Sequence, residues 1–238
     1  MLLALLDVET SGLDATDVAI EVAVSLFDTA HASVTESYST LIRHDSNGAE
    51  ALNRIPAALL VGARTREEAW GRVARVTAEA TAFGAWNDTF DRRFVSNSIG
   101  AKPWFDAMDL EWPRPCDSRG LVAVALAHDL GVAHAHRAAA DVDLMARLLT
   151  RARELGADLD AMLAKGLRPR ALFEVADRGF DANRNEQAKA AGFRWDAEQK
   201  SWRRTMAIED AAGLPFRTRQ VGVRAASAVE YPYESVGA

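Results

Sequence analysis

Asp7 and Glu9 are the first residues whose types and spacing could do chemistry. They end a short apolar run, Leu2-Leu3-Ala4-Leu5-Leu6, and a run of that kind bounded by acids and a glycine is the pattern of a strand buried on both faces at the middle of a sheet. Side chains alternate along a strand, so Asp7 and Glu9 share one face while Val8 returns to the core. Two carboxylates held that close repel each other. A shared proton or a hard divalent cation such as Mg²⁺ relieves the repulsion. Gly12 is expected to allow the tight turn that bares the pair to solvent. The competing reading is that the two acids merely mark where a strand meets its loop.

Two later stretches supply complementary groups. Asn87-Asp88-Thr89-Phe90-Asp91-Arg92-Arg93-Phe94 carries two acids at a predicted helix start, and His134-Ala135-His136-Arg137-Ala138-Ala139-Ala140-Asp141 places an imidazole before another acid. A histidine, with an ordinary pKa of about 6.5, suits proton transfer near neutral pH. In one continuous helix His136 and Asp141 would stand roughly 140° apart around the axis, too far to face one site. Serving one site therefore requires His136 in the loop before the helix and Asp141 in its first turns. Asp88 competes with Asp91 in this reading; it has a simpler role as a helix N-cap. His134 and Asp143 are the nearby alternatives in the last segment.

Asp7-Val8-Glu9-Thr10-Ser11-Gly12-Leu13 resembles the first motif of the DEDDh 3′ to 5′ exonucleases, the family of the proofreading epsilon subunit of bacterial DNA polymerase III. The family's second motif has the form His-Asn-Ala-x-Phe-Asp-x-x-Phe, and Asn87, Phe90, Asp91 and Phe94 fall on it. Trp86 stands where the histidine is frequent, and Asp88 where a small residue is usual. The third motif, His-x-Ala-x-x-Asp, is met by His136, Ala138 and Asp141. The resemblance covers residues 1 to about 155. It implies a ribonuclease H-like α/β fold, a mixed five-stranded sheet flanked by helices. It also implies two Mg²⁺ or Mn²⁺ ions, one held by Asp7, Glu9 and Asp141 and the other by Asp7 and Asp91, with His136 as proton acceptor and Thr10 and Leu13 gripping the terminal nucleotide. The implied activity is hydrolysis of single-stranded DNA from a free 3′ end with release of nucleoside 5′-monophosphates. The same chemistry on RNA is the nearest alternative, and a nucleic-acid-binding protein with an idle catalytic set is the other.

The elements that must position these groups are legible in outline. Residues 18–28 and 34–42 read as strands that continue the first in an antiparallel meander, the former on a half-covered sheet. Residues 51–60 look helical but are interrupted by Pro56, and Thr65-Arg66-Glu67-Glu68 has the form of a capping box that starts a helix near Arg66. Strands are expected at 77–86 and 104–108 and helices at 117–130 and 142–155. The tryptophans at 104 and 112 read as packing residues.

At 238 residues, 49% hydrophobic and 26% charged, the chain has room for one good-sized domain and a small one. Cys116 is its single cysteine, which fits a reducing, cytoplasmic compartment. The first apolar run meets Asp7 without a basic flank, so neither a secretory nor a membrane segment is expected. The net charge of −6 is unevenly spread: residues 1–164 carry 15 Lys+Arg against 24 Asp+Glu, residues 165–206 carry 10 against 6, and the remainder 3 against 4. An acidic body with a basic appendage is compatible with a nuclease whose metals offset its carboxylates while the appendage meets phosphates.

The expected organisation is an exonuclease domain over 1–156, a linker over 157–170 that opens with one more short helix at 157–165, a small basic α+β module over 171–206 and a loosely ordered tail over 207–238. Within the module a strand is expected at 172–175, a helix at 183–191 ended by Gly192, and a hairpin at 193–204. Ala188-Lys189-x-x-Gly192-x-x-Trp195 and Lys200-x-Trp202 resemble a small module of unsettled role appended to bacterial nucleic-acid-processing proteins. Trp195 and Trp202 read as the hairpin's core. Arg184, Lys189, Arg194, Lys200, Arg203 and Arg204 alternatively form a basic face for the substrate strand. No sliding-clamp peptide is evident, and no protein partner is readable.

Overall fold

Strand β1 (Leu2–Thr10) is buried from Leu3 through Leu6, each at 0% exposure, and it lies in the middle of a sheet. The structure is a computed structural model and describes residues 1–14, 16–95, 97–133, 136–177 and 181–224. β2 (Ala19–Asp28) and β3 (Ser33–Leu41) follow β1 as an antiparallel meander, while β4 (Ala82–Ala85) and β5 (Trp104–Asp106) add parallel strands on its other side. The five-stranded order is β3-β2-β1-β4-β5, a mixed sheet flanked by helices.

β2 differs from the half-covered strand expected of it: every residue from Ala19 to Phe27 is buried. The reason is that helices pack on β2 from α3 (Arg66–Val76) and α6 (Ala138–Glu154). Before α3, Pro56 separates the short α1 (Glu50–Asn53) from α2 (Ala57–Val61). α3 itself begins at a full capping box, with the Thr65 side chain accepting from the Glu68 N–H and Glu68 reaching back to the Thr65 N–H.

Several boundaries fall elsewhere than the sequence pattern placed them. Thr77 does not begin a strand but closes α3, its Oγ1 donating to the Val73 carbonyl at 2.9 Å, and β4 is correspondingly short. A 3₁₀ turn at Ala107–Asp109 cuts β5 off after Asp106, whose side chain accepts from the Met108 N–H. Helix α4 spans only Asp88–Asp91. α5 spans Leu121–Ala127 rather than 117–130 and stops where the buried His128 turns its Nδ1 onto the Val124 carbonyl at 2.7 Å. α7 (Leu159–Gly166) falls where a short helix is expected at the start of the 157–170 segment, and Leu159, Met162 and Leu163 are its buried residues.

The chain divides into two compact units between Gly166 and Leu167. The second is a four-stranded antiparallel sheet of order β7-β8-β6-β9, built from β6 (Arg170–Val175), β7 (Arg194–Asp196), β8 (Ser201–Ala207) and β9 (Thr218–Arg224). α8 (Ala182–Ala190) is capped by the Asp181 side chain and followed by Gly192 at φ +76°. Its Ala188 joins Ala171, Phe173, Val175, Phe193 and Met206 in the unit's core.

Two expectations for this unit are corrected. β9 lies inside the segment read as a tail, because β6 needs a partner on the side away from β8. Trp195 is not core but 53% exposed, whereas Trp202 packs against the core. His134 and residues 225–238 lie outside the described residues. Among the described residues no helix is long and apolar enough to cross a membrane.

Candidate active site

The alternation of β1 presents Asp7 and Glu9 together and sends Val8, 4% exposed, into the core. Asp141 joins them from the first turn of α6. One carboxylate oxygen from each of Asp7, Glu9 and Asp141 lies within 4.8 Å of the others. Asp91, 1% exposed at the end of α4, stands beside Asp7, and its Oδ1 accepts the Val8 N–H at 3.1 Å. It is outside the three-acid cluster yet fixed to the same strand.

Each acid is brought in by a local device. At the end of β4, Asn87 takes the left-handed conformation (φ +69°), which asparagine tolerates, and its N–H is held by Asp106 of β5 at 2.9 Å. That turn carries the chain into α4 and sets Asp91 against Val8. Asp88 is the first residue of α4 and not its N-cap; it is buried and pairs with Arg92 at 3.5 Å. On the other side, His136 is also left-handed (φ +63°), lies in the loop before α6 and donates its backbone N–H to Asp141 Oδ2 at 3.2 Å. Its side chain is exposed. Loop and helix thus place His136 and Asp141 as one site requires.

The turn after β1 is rigid for a reason other than glycine's freedom. Gly12 has no left-handed φ; a Cβ there would lie 2.4 Å from Asp17 Oδ2. Asp17 fills that space, accepting from Ser11 Oγ and the Asp14 N–H, both at 2.7 Å. Thr10 is buried, its Oγ1 donating to the Gly12 carbonyl and its own carbonyl accepting from Asn53 Nδ2 at 3.1 Å. Leu13 is 70% exposed beyond it.

Glu21 and Arg137 are the site residues that motif reading passed over. Glu21 is 4% exposed on β2, opposite Glu9 in register, and accepts Arg137 Nε at 3.0 Å, Arg137 NH2 at 2.7 Å and the Ala138 N–H at 3.1 Å. The pair fastens the start of α6 to the sheet. A charge inside Ala19-Ile20-Glu21-Val22-Ala23-Val24 is itself the signal, since a glutamate in a buried strand must have a partner.

Burial, with mutual repulsion, raises the pKa of each of these acids. Burial pushes the Asp7 carboxyl well up, and the charges of Asp91, Asp141, Glu9 and Glu21 push it further. Glu9 is pushed up to about 7, by burial first and then by Asp141 and Glu21, with Arg137 opposing. Burial raises Asp91 despite the Val8 N–H, and burial raises Asp141 despite the His136 N–H. Such shifts mark negative charge with too little local compensation.

With this geometry in hand, comparison with solved structures is direct. Exonuclease X in complex with 5′ overhanging duplex DNA is 25% identical, with 67% of this chain and 96% of that one covered at a TM-score of 0.53. The nuclease domain of 3′hExo, a DEDDh family member, bound to rAMP is 14% identical over 65% of this chain and 92% of that one, at 0.56. E. coli exonuclease I in complex with a dA16 oligonucleotide is 17% identical over 74% of this chain and 48% of that one, at 0.53. All three neighbours are exonucleases by name, and 3′hExo is described as a DEDDh family member. The first unit has their ribonuclease H-like fold. A family model described as a domain of unknown function (DUF8626) matches residues 180–221. No curated protein matches the chain by sequence.

Proposed function

We propose that this chain is a metal-dependent 3′ to 5′ exonuclease that shortens single-stranded DNA from a free 3′ end and releases nucleoside 5′-monophosphates. The observation that carries the reading is the convergence of Asp7, Glu9 and Asp141 within 4.8 Å, with Asp91 pinned to the Val8 N–H beside them. The structural neighbours named above support it.

The donor set fits hard divalent cations. It offers only carboxylate oxygens, and their raised pKa values express a charge that a cation would neutralise. Asp7, Glu9 and Asp141 would hold one ion, and Asp7 with Asp91 a second. Bound there, Mg²⁺ or Mn²⁺ supplies charge neutralisation at the scissile phosphate and acidifies a water.

The chain's own groups do the rest. His136, exposed at the mouth, takes the proton of the attacking water. Its backbone N–H on Asp141 ties the loop that carries the ring to the acid. The Arg137–Glu21 clamp fixes both residues to the sheet. Leu13 offers an apolar surface to the terminal base, and the braced backbone at Thr10 borders the sugar.

RNA is the second substrate to weigh, because the 3′hExo nuclease domain binds rAMP and no group assigned here reads a 2′-hydroxyl. The test is a time course with 5′-labelled single-stranded DNA and RNA of one sequence, in Mg²⁺ or in EDTA, alongside Asp7→Ala. A metal-dependent ladder shortening from the 3′ end and absent in the variant supports the reading and ranks the two strands. Retention of intact strands without shortening refutes it.

A further inference from the structure

The second unit carries a groove of about 610 Å³ bordered by Trp195 of β7, Lys200 of the hairpin, Trp202 and Arg203 of β8 and Arg219 of β9. We infer that it binds a single nucleic-acid strand, with Trp195 as the platform for a base and the groove's cations meeting the backbone phosphates. The choice of a polynucleotide rests on the exonuclease reading of the first unit; the groove itself belongs to residues that reading does not use.

The aromatic part of the groove is built in two steps. Trp202 is immobilised: it packs on the unit's core, its Nε1 donates to Asn185 Oδ1 at 3.0 Å, and Lys189 Nζ lies over its ring at 5.8 Å. Trp195, directly opposite on β7, stands edge-to-face against that fixed ring, with centroids 5.8 Å apart and planes at 65°. Trp202 therefore sets the orientation of Trp195 while leaving it 53% exposed. A unit this small has few large apolar residues to bury, so an indole held rigid and open to water is available to a ligand with a π face. Base stacking on such a ring is sequence-tolerant.

The polar part selects an anionic strand. Among the described residues, Arg184, Lys200, Arg203 and Arg219 line the groove together with the acids Glu174 and Asp177. Glu174 is 7% exposed and is shared by two arginines: Arg203 NH2 reaches it at 3.2 Å and Arg219 Nε at 3.1 Å. Arg203 NH1 also reaches Asp196 Oδ2 at 3.4 Å, so two carboxylates orient the two guanidinium groups, and Lys200 adds its charge at the hairpin end of the groove. Lys200 sits at the hairpin in the left-handed conformation (φ +49°), which a lysine adopts only against steric resistance. Gln199 and Ser201 beside it offer hydrogen bonds. Aromatic face, oriented cations and neutral polar groups in one cleft of this size suit successive nucleotides.

The test is fluorescence anisotropy of the full chain with 5′-labelled dT and rU oligonucleotides in EDTA, so that no hydrolysis intervenes, across a salt series. Trp195→Leu should weaken binding about tenfold, the scale of losing one base stack, while Trp195→Phe should recover most of it. Lys200→Gln should weaken binding less and flatten the dependence of affinity on salt by about one charge. The DNA and RNA arms tell which polynucleotide the cleft takes. Unchanged affinity in both Trp195→Leu and Lys200→Gln, each folded by circular dichroism, overturns the inference whatever the enzyme does. If wild type shortens neither strand in Mg²⁺ but loses binding on Trp195→Leu, the exonuclease reading fails and the groove stands.

Discussion

Removing Arg137 while keeping Glu21 should be among the most disruptive changes at the site, although Arg137 touches none of the three clustered acids by hydrogen bond. Glu21 accepts three donors, two of them from Arg137, and its side chain is 5% exposed against 46% for Arg137. Breaking a fully buried pair by removing one partner costs about 3–5 kcal/mol. The exposed guanidinium and the surviving Ala138 N–H reduce this, and about 2 kcal/mol is expected for Arg137→Met. For a unit of this size that is a fall in melting temperature of about 4–8 °C. Glu21→Gln, which keeps an acceptor for the guanidinium, should cost less, and the double variant should cost less than the sum.

The electrostatic consequences separate this account from a merely structural one. Glu21 raises the Glu9 carboxyl, now near 7, whereas Arg137 lowers it. Metal binding requires deprotonated carboxylates, so Mn²⁺ affinity should rise with pH through that region. Glu21→Gln should move the midpoint of that rise downward and Arg137→Met upward. Isothermal titration of Mn²⁺ over pH 5.5–8.5, with thermal melts of the same variants, measures both. Midpoints that shift in the same direction, or an Arg137→Met melting temperature within 1 °C of wild type, would refute the reasoning.

Three further outcomes follow from the same geometry. Without metal, the first unit should lose stability as pH rises from about 4.5 to about 7, since folded Glu9 holds its proton more tightly than the unfolded chain; after allowance for water at the open side of the cluster the loss is about 1–2 kcal/mol, and Mg²⁺ should reverse it in melts recorded at each pH. Asp91→Asn should abolish hydrolysis of a labelled strand by a factor of about 100 or more, while Asp88→Asn should leave cleavage largely intact and instead lower the melting temperature through its buried pairing with Arg92; the reverse pattern would mean the second motif is misregistered. Gly84→Ala should destabilise by about 1–3 kcal/mol in a denaturant titration, because its Cβ would fall 2.1 Å from the ring of Phe105, which is fully buried and has nowhere to go.

What was legible in the sequence was whatever depends on local periodicity or on neighbours within one turn. The apolar run before Asp7 gave the central strand, the spacing of Asp7, Val8 and Glu9 gave the shared face, and Thr65 with Glu68 gave the start of α3. The His136–Asp141 spacing forced a loop before α6 because a continuous helix would have separated the two. Contacts between distant segments were not legible. Glu21 meets Arg137 across 116 positions, and nothing near either residue names the other. Asp88 looked like a cap because caps are judged from the adjacent residues, yet Asn87 takes that place in a left-handed turn fixed by Asp106 from another strand. Strand β9 lacks a strong alternating pattern and is specified by the free side of β6. Trp195 looked like core because its neighbours are few, and only the packing of Trp202 decides which indole is covered.

The Glu21–Arg137 pair also explains why the acidic cluster stays charged enough to need a cation. Every charge acting on Asp7 raises its pKa, and the one arginine that relieves Glu9 is held by two hydrogen bonds to Glu21. An arginine free to swing onto Asp7 or Asp141 would neutralise the cluster from within and compete with a metal. By giving its guanidinium a buried partner of its own, the fold uses Arg137 to hold the helix start in place, where its charge relieves Glu9 in part. At the proposed metal site a divalent cation would therefore compete with protons for Asp7, Glu9 and Asp141, which makes its binding depend on pH. Glu21 is for that reason as much a part of the site's electrostatics as the four acids the motifs single out.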